Sequence, residues 1–152
     1  MRVLLQRVTE ARVEVAPEDG GPPETVGAIG RGLVVLVCAE KRDGAEQAAY
    51  LARKVATIRM FEDSEGKTNL SIGDVGGSAL VVSQFTLAAD WKKGNRPGFS
   101  NAADPETGER LYLDFAERLR EAGVPVETGR FRVHMRVHLV NDGPFTIWME
   151  TD

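Results

Sequence analysis

With 152 residues and a mass of 16.6 kDa, the chain fits one domain, residues 1–152, with room for a sizeable core. Hydrophobic residues at 42% and charged residues at 28% argue against a disordered chain. A net charge of −4 argues against a polyelectrolyte coat for nucleic acid, while leaving room for a local basic groove. Met1 to Arg7 lacks the apolar run of a signal peptide and no segment could span a membrane, so a cytoplasmic protein is expected.

Leu4 to Val15 carries β-branched residues with partial alternation, which suggests an opening strand pair. Ala16 to Glu24 is rich in proline, glycine and acid and reads as an exposed loop. Leu33 to Ala39 is short and continuously apolar, as a strand buried on both faces should be. Cys38 lies within it, alone, and reads as a small buried hydrophobe rather than a reactive thiol. A helix follows, with Asp43 as its cap, Glu46 three residues later, and Ala48, Leu51, Ala52, Val55 and Ile58 as its apolar stripe.

Ser78 to Leu87 reads as a second apolar strand, and Ala88 to Asn101 as a loop holding Trp91, Lys92, Lys93, Arg96 and Phe99. Asp104 as cap and Pro105 in the first turn open the next helix, and Gly123 and Pro125 close it. Leu111, Phe115, Leu119 and Ala122 form its expected buried face. Val133, Met135, Val137 and Leu139 alternate with His134, Arg136 and His138, the mark of a half-buried strand. Asn141-Asp142-Gly143-Pro144 reads as a turn leading to a last strand, Phe145 to Glu150. Strands with two helices as crossovers suggest an α/β (α+β-like) chain, with both helices layered on one side of strongly bent sheets.

Two motifs carry the chemistry: Ser83-Gln84-Phe85-Thr86-Leu87 and Asn141-Asp142-Gly143-Pro144-Phe145-Thr146. Neither holds a histidine, a cysteine or a metal-ligand cluster, and no cofactor is called for. Together they resemble the D-aminoacyl-tRNA deacylases. Gln6-Arg7-Val8, Gly77-Ser78, Arg96-Pro97-x-Phe99-Ser100 and Thr128-Gly129-x-Phe131 with Met135 extend the resemblance along nearly the whole chain. It implies a homodimer with a three-layer β-β-α fold that hydrolyses the ester between a D-amino acid, or misattached glycine, and the terminal adenosine of tRNA. It also implies that Gly143-Pro144 is a cis bond entering the partner subunit's pocket, where its carbonyls exclude an L side chain. A similar fold serves as an editing domain in some archaeal threonyl-tRNA synthetases, so fold alone does not fix the substrate.

Thr86 needs a base to act as nucleophile. The only two histidines, His134 and His138, are four apart on one strand, on a face opposite Met135, and read as solvated. The remaining route is electrostatic: backbone N–H groups around Phe85 and Thr86 hold the oxyanion, each donor worth ~2.7–4 kcal/mol. The resemblance adds that the 2′-hydroxyl of the terminal ribose assists attack. Ser83 and Gln84 are expected to shape hydrogen bonding at the substrate's ends, while Phe131, Met135 and Thr146 line the pocket. Lys92, Lys93 and Arg96, beside two aromatics, are candidates for contact with the tRNA acceptor end.

Departures from the family pattern fall near the expected pocket. The family's Phe-Gly-Ala-x-Met is Phe131-Arg132-Val133-His134-Met135 here, and Phe145 stands where valine is commoner. Two rival readings remain: a non-catalytic nucleic-acid-binding module on the same fold, and an amidase or peptidase using Thr86.

Overall fold

The computed structural model describes residues 1–152. Its spine is a single strand, β1 (Arg2–Val15), where the sequence suggested a strand pair. Burial alternates cleanly up to Arg7, slips at Val8 to Glu10, then resumes from Ala11. Such a slip bends and twists a strand without ending it, so β1 serves two neighbours along one edge. Arg2 to Val8 pair antiparallel with β3 (Gly32–Cys38), and Ala11 to Val15 pair with β2 (Glu24–Ile29). No sequence pattern marks β2. Its Thr-Val-Gly-Ala core is too short and too weakly apolar to stand out, and it forms because β1 offers it an open edge.

The strand β3 is central and buried almost throughout, as its unbroken apolar run predicts. It pairs in parallel with β6 (Ser78–Ser83), which pairs in parallel with β7 (Val126–Thr128). Helix α1 (Ala45–Thr57), with the small hairpin of β4 (Phe61–Glu62) and β5 (Thr68–Leu70), connects β3 to β6; α2 (Pro105–Glu121) connects β6 to β7. Along the other edge of β1 runs β8 (Met135–Glu150), antiparallel to it on both sides of an interruption after Asn141.

The sheet buries both faces. Val3, Leu5, Leu33, Val35, Val37 and Val81 pack beneath Leu51 and Val55 of α1 and Leu111, Phe115 and Leu119 of α2. Val8, Ala11, Val13, Ile29, Val34, Leu80 and Val82 form a second core on the opposite face. That core closes because β2 curls over to β7: a Cβ at Gly27 would lie 2.6 Å from the Thr128 carbonyl oxygen. The result is the expected layering, helices on one side of a strongly bent sheet, with the sheet folded back on itself.

Several local expectations shift. Gly44, not Asp43, caps α1, and its N–H donates to Gln47 Oε1 at 2.9 Å. The Asp43 carboxylate is occupied elsewhere, accepting from the Met1 ammonium at 2.6 Å and from the Glu40 N–H. Ile58 and Ala122 are the C-caps of their helices; Ile58 still packs, half-buried, against the core, whereas Ala122 is exposed. The N-terminus of α2 is as read: the Asp104 side chain accepts from the Thr107 N–H at 3.0 Å, with Pro105 at the first position. The Ala16–Glu24 connection is indeed largely exposed. No helix is long and apolar enough to cross a membrane.

Candidate active site

A cleft of about 710 Å³ opens where β6 ends, walled by the start of α2 and the chain leading into β8. The strand that was expected to reach Leu87 stops at Ser83. Gln84 leaves the extended region with its N–H still bonded to the Val37 carbonyl at 2.8 Å, the last rung of the ladder. Phe85 to Ala88 then wind into a 3₁₀ turn closed by Leu87 N–H donating to the Gln84 carbonyl at 3.2 Å. The first amides of such a turn have no acceptor within it. Those amides belong to Phe85, which lines the cleft, and Thr86, the next residue, which does not. The Gln84 side-chain amide donates to the Thr86 hydroxyl, which fixes both side chains along the turn.

Ser83, Gln84, Phe85, Phe131 and Met135 all line this one cleft, although the second pair lies about fifty residues further along the chain. Phe85 is 57% exposed and meets Phe99 edge-on, centroids 5.1 Å apart. Phe131 stacks on Tyr112 of α2 at 6.1 Å. The Tyr112 hydroxyl in turn donates to the Val81 carbonyl at 3.1 Å, and burial pushes its pKa above the ordinary tyrosine value. Gly108 lies beneath Phe131, where a Cβ would come within 3.6 Å of the ring. Phe131 is thus an aromatic wall of the cleft, braced through buried Tyr112 from α2 to β6.

Cys38 also borders the cleft, yet it is only 2% exposed. Burial is the main reason its thiol is pushed up to about 11, which leaves it protonated and a poor nucleophile near neutrality. The two histidines part company, contrary to the expectation of one shared solvated face. Arg132 adopts a left-handed φ of 60°, which breaks the extended run before Met135 and leaves His134 exposed at the cleft wall, in the chain leading into β8. His138 lies within β8, its Nε2 3.1 Å from Glu14 Oε2 and its Nδ1 3.4 Å from the Arg12 guanidinium. The Glu14 carboxyl is held below its ordinary value chiefly by Arg12. No group of three or more histidine, cysteine or acidic side chains gathers to hold a metal ion.

The second motif sits elsewhere. Asn141 pairs with Val8 and Thr146 with Gln6, so both arms of β8 continue along β1 and Asp142 to Phe145 project as a wide bulge rather than a strand-reversing turn. The Gly143-Pro144 bond is cis, and both residues are exposed and outside the cleft of their own chain. Thr146 also lies outside the cleft, its hydroxyl accepting from Asn141 at 3.1 Å and Gln6 at 3.3 Å at the base of the bulge. Arg7 holds the bulge from within. Its guanidinium donates to the Met60 carbonyl at 2.8 Å and the Asp142 carbonyl at 3.0 Å, and lies 4.7 Å from the centre of the Phe145 ring. The sequence marked Arg7 only as part of a motif; a lone arginine among strand residues carries no signal that it will be buried.

Lys92, Lys93 and Arg96 occupy an exposed loop pinned by paired hydrogen bonds between Asp90 and Gly98, beside Trp91, which is 73% exposed. None of the three lines the cleft. Asp104, Pro105, Gly108, Arg132 and His134 do. In the sequence the first two read only as helix punctuation, because tertiary proximity of a helix start to a strand end leaves no local trace.

The family model described as D-Tyr-tRNA(Tyr) deacylase matches residues 4–150. A D-aminoacyl-tRNA deacylase of Ruegeria pomeroyi is 59% identical over 150 residues, 99% of each chain. One of Cereibacter sphaeroides is 56% identical over 151 residues, covering 99% of this chain and all of the relative. Among solved structures, one described as c-Myc DNA Unwinding Element Binding Protein superposes with a TM-score of 0.89 at 38% identity, covering 100% of this chain and 99% of its own. A second, presented as "Structural Analysis of a probable eukaryotic D-amino acid tRNA deacylase", has a TM-score of 0.80 at 22% identity over 97% of each chain, a likeness of fold. Fold and relatives define a hydrolase of the deacylase class. The chain belongs to the D-Tyr-tRNA(Tyr) deacylase family.

Proposed function

We propose that this protein cleaves the ester bond of D-aminoacyl-tRNA, and of glycyl-tRNA, while sparing L-aminoacyl-tRNA. The observation that carries this reading is the convergence of Ser83, Gln84 and Phe85 with Phe131 and Met135 on one cleft, in a chain alike over its whole length to D-aminoacyl-tRNA deacylases. The cleft is mostly apolar with a few polar groups, as a site for a nucleoside and an amino acid should be.

In this reading water attacks the ester carbonyl, and the developing oxyanion is held by the Phe85 and Thr86 N–H groups, free to donate at the start of the 3₁₀ turn. The alcohol leaving group is the terminal ribose, whose neighbouring 2′-hydroxyl assists the attack in place of a protein base. The inert Cys38 thiol and the engagement of the Thr86 hydroxyl with Gln84 both support a mechanism without a side-chain nucleophile. Gly143 and Pro144 of a second copy would complete the cleft and exclude L side chains, which makes a homodimer part of the proposal. The exposure of that bulge, and its rigid seat on Arg7, suit it to such insertion. Lys92, Lys93 and Arg96 would meet the acceptor-stem phosphates, and the reaction would take place in the cytoplasm, where charged tRNA is used.

The second reading, a nucleic-acid-binding module, is favoured by the neighbour whose name describes DNA-element binding. One experiment separates the two: purified protein is incubated with D-tyrosyl-tRNA, and the release of free D-tyrosine is followed alongside the binding of uncharged tRNA. The deacylase reading expects catalytic release at enzyme concentrations far below substrate. Tight binding that ignores the aminoacyl group, with no release, would establish the module instead.

A further inference from the structure

Arg132 is an exposed arginine with a φ of 60°, the only residue other than glycine with a positive φ in the chain. L side chains with bulk beyond Cβ are strained in this region, and such residues persist where something other than backbone preference holds them. Packing does not supply the reason, because the side chain is not buried. Nor does an ion pair. Arg130, two residues earlier, is paired with Glu24 at 2.9 Å, and Arg7, Arg12, Arg118 and Arg120 each have a carboxylate. Arg132 has none, yet it lines the cleft.

The cleft's only carboxylate is Asp104, and that group is already engaged in capping α2 through the Thr107 N–H. Arg132, which lines the cleft as His134 does, therefore meets no competing acid within it. Its forked donors match a phosphodiester, which is the charged group next to a terminal nucleoside in RNA. We propose that Arg132 binds a phosphate of the RNA 3′ end entering this cleft, so that tRNA is held by its final phosphodiester as well as by its terminal base. The inference rests on the deacylase reading and concerns a different part of the substrate from the scissile ester.

The test compares the unsubstituted protein with Arg132→Gly and Arg132→Lys on two substrates, D-tyrosyl-tRNA and 2′(3′)-O-D-tyrosyl-adenosine, which carries no phosphate. Glycine is at ease at this φ, so thermal unfolding of Arg132→Gly should occur at the same or a higher temperature, which separates folding from binding. The expected result is a KM for the tRNA ester raised about fivefold to tenfold in Arg132→Gly, a far smaller rise for the adenosine ester, and little change in kcat. The slope of log KM against log salt should fall by about 1 with the lost contact, and Arg132→Lys should restore it. Equal KM changes on both esters, or an unchanged salt slope, would overturn the phosphate contact while leaving deacylation standing. Inertness of the unsubstituted protein toward both esters would overturn the deacylase reading and this inference with it.

Discussion

Arg7 and Gly143 together decide the shape of the bulge that carries the second motif. Gly143 has a φ of +140°, and a Cβ there would sit 3.0 Å from the Phe145 nitrogen and 3.4 Å from the Arg7 guanidinium. Gly143→Ala is therefore expected to destabilise the fold by about 1–3 kcal/mol and to reduce turnover more than its loss of stability explains. Denaturant unfolding beside a deacylation assay checks both; wild-type values in each would show that the position tolerates a side chain. Arg7→Met strips donors from the Met60 and Asp142 carbonyls and should lower stability by about 1–3 kcal/mol, read from urea unfolding. Cys38 gives a pH test. Its folded pKa, about 11, lies above the ordinary value of 9.0, so its contribution to stability is present in full below pH 9.0 and is lost as pH rises toward about 11. A thiol-alkylating reagent at pH 8 should label the native protein far more slowly than the unfolded one. Cys38 was legible from the sequence because an apolar run surrounds it. The role of Arg7 was not, since nothing local foretells that a strand arginine will be the one buried residue with a charged side chain.

At the scale of elements, β3, α2 and the loop after β1 could be read directly, each from a strong local pattern. The N-terminus of α2 is the clearest case, with Asp104 and Pro105 in the positions their chemistry favours. Asp104→Ala should lower the melting temperature, because the Thr107 N–H loses its acceptor. Hydrogen bonds to that N–H hold the Asp104 carboxyl below its ordinary 3.8. The cap's contribution is thus present above pH 3.8 and lost as pH falls through the depressed folded value, so mutant and wild type should converge in acid. Asp43 misled because the same residue type that caps helices also pairs with an ammonium, and the Met1 nitrogen is brought to it only by the fold. The apolar run suggests a strand to Leu87, four residues past the end of β6, because Phe85 and Thr86 have strand propensity and only the tertiary site bends them into a 3₁₀ turn. Gly32 shows how closely β3 and β6 approach: a Cβ there would lie 1.8 Å from the Ser78 carbonyl oxygen. Gly32→Ala should force these strands apart and leave little folded protein by circular dichroism.

For the whole molecule, the layering of two helices against a bent sheet was legible from element order, and the self-closure of the sheet was not. Closure depends on β2, a strand too weak to be recognised alone, and on Gly27 passing beneath Thr128. The cleft follows from that closure, because it sets β6, α2 and the start of β8 around one space. The proposed reaction needs no more of the chain than this: amides at a turn, aromatic walls, and an exposed bulge offered to a second copy. The measurement that tests it most directly is deacylation of D-tyrosyl-, L-tyrosyl- and glycyl-tRNA side by side under one set of conditions. Rapid release from the D and glycyl esters with the L ester spared is the predicted result. Hydrolysis of both enantiomers at equal rates would contradict selection by exclusion, and hydrolysis of none would contradict the deacylase itself.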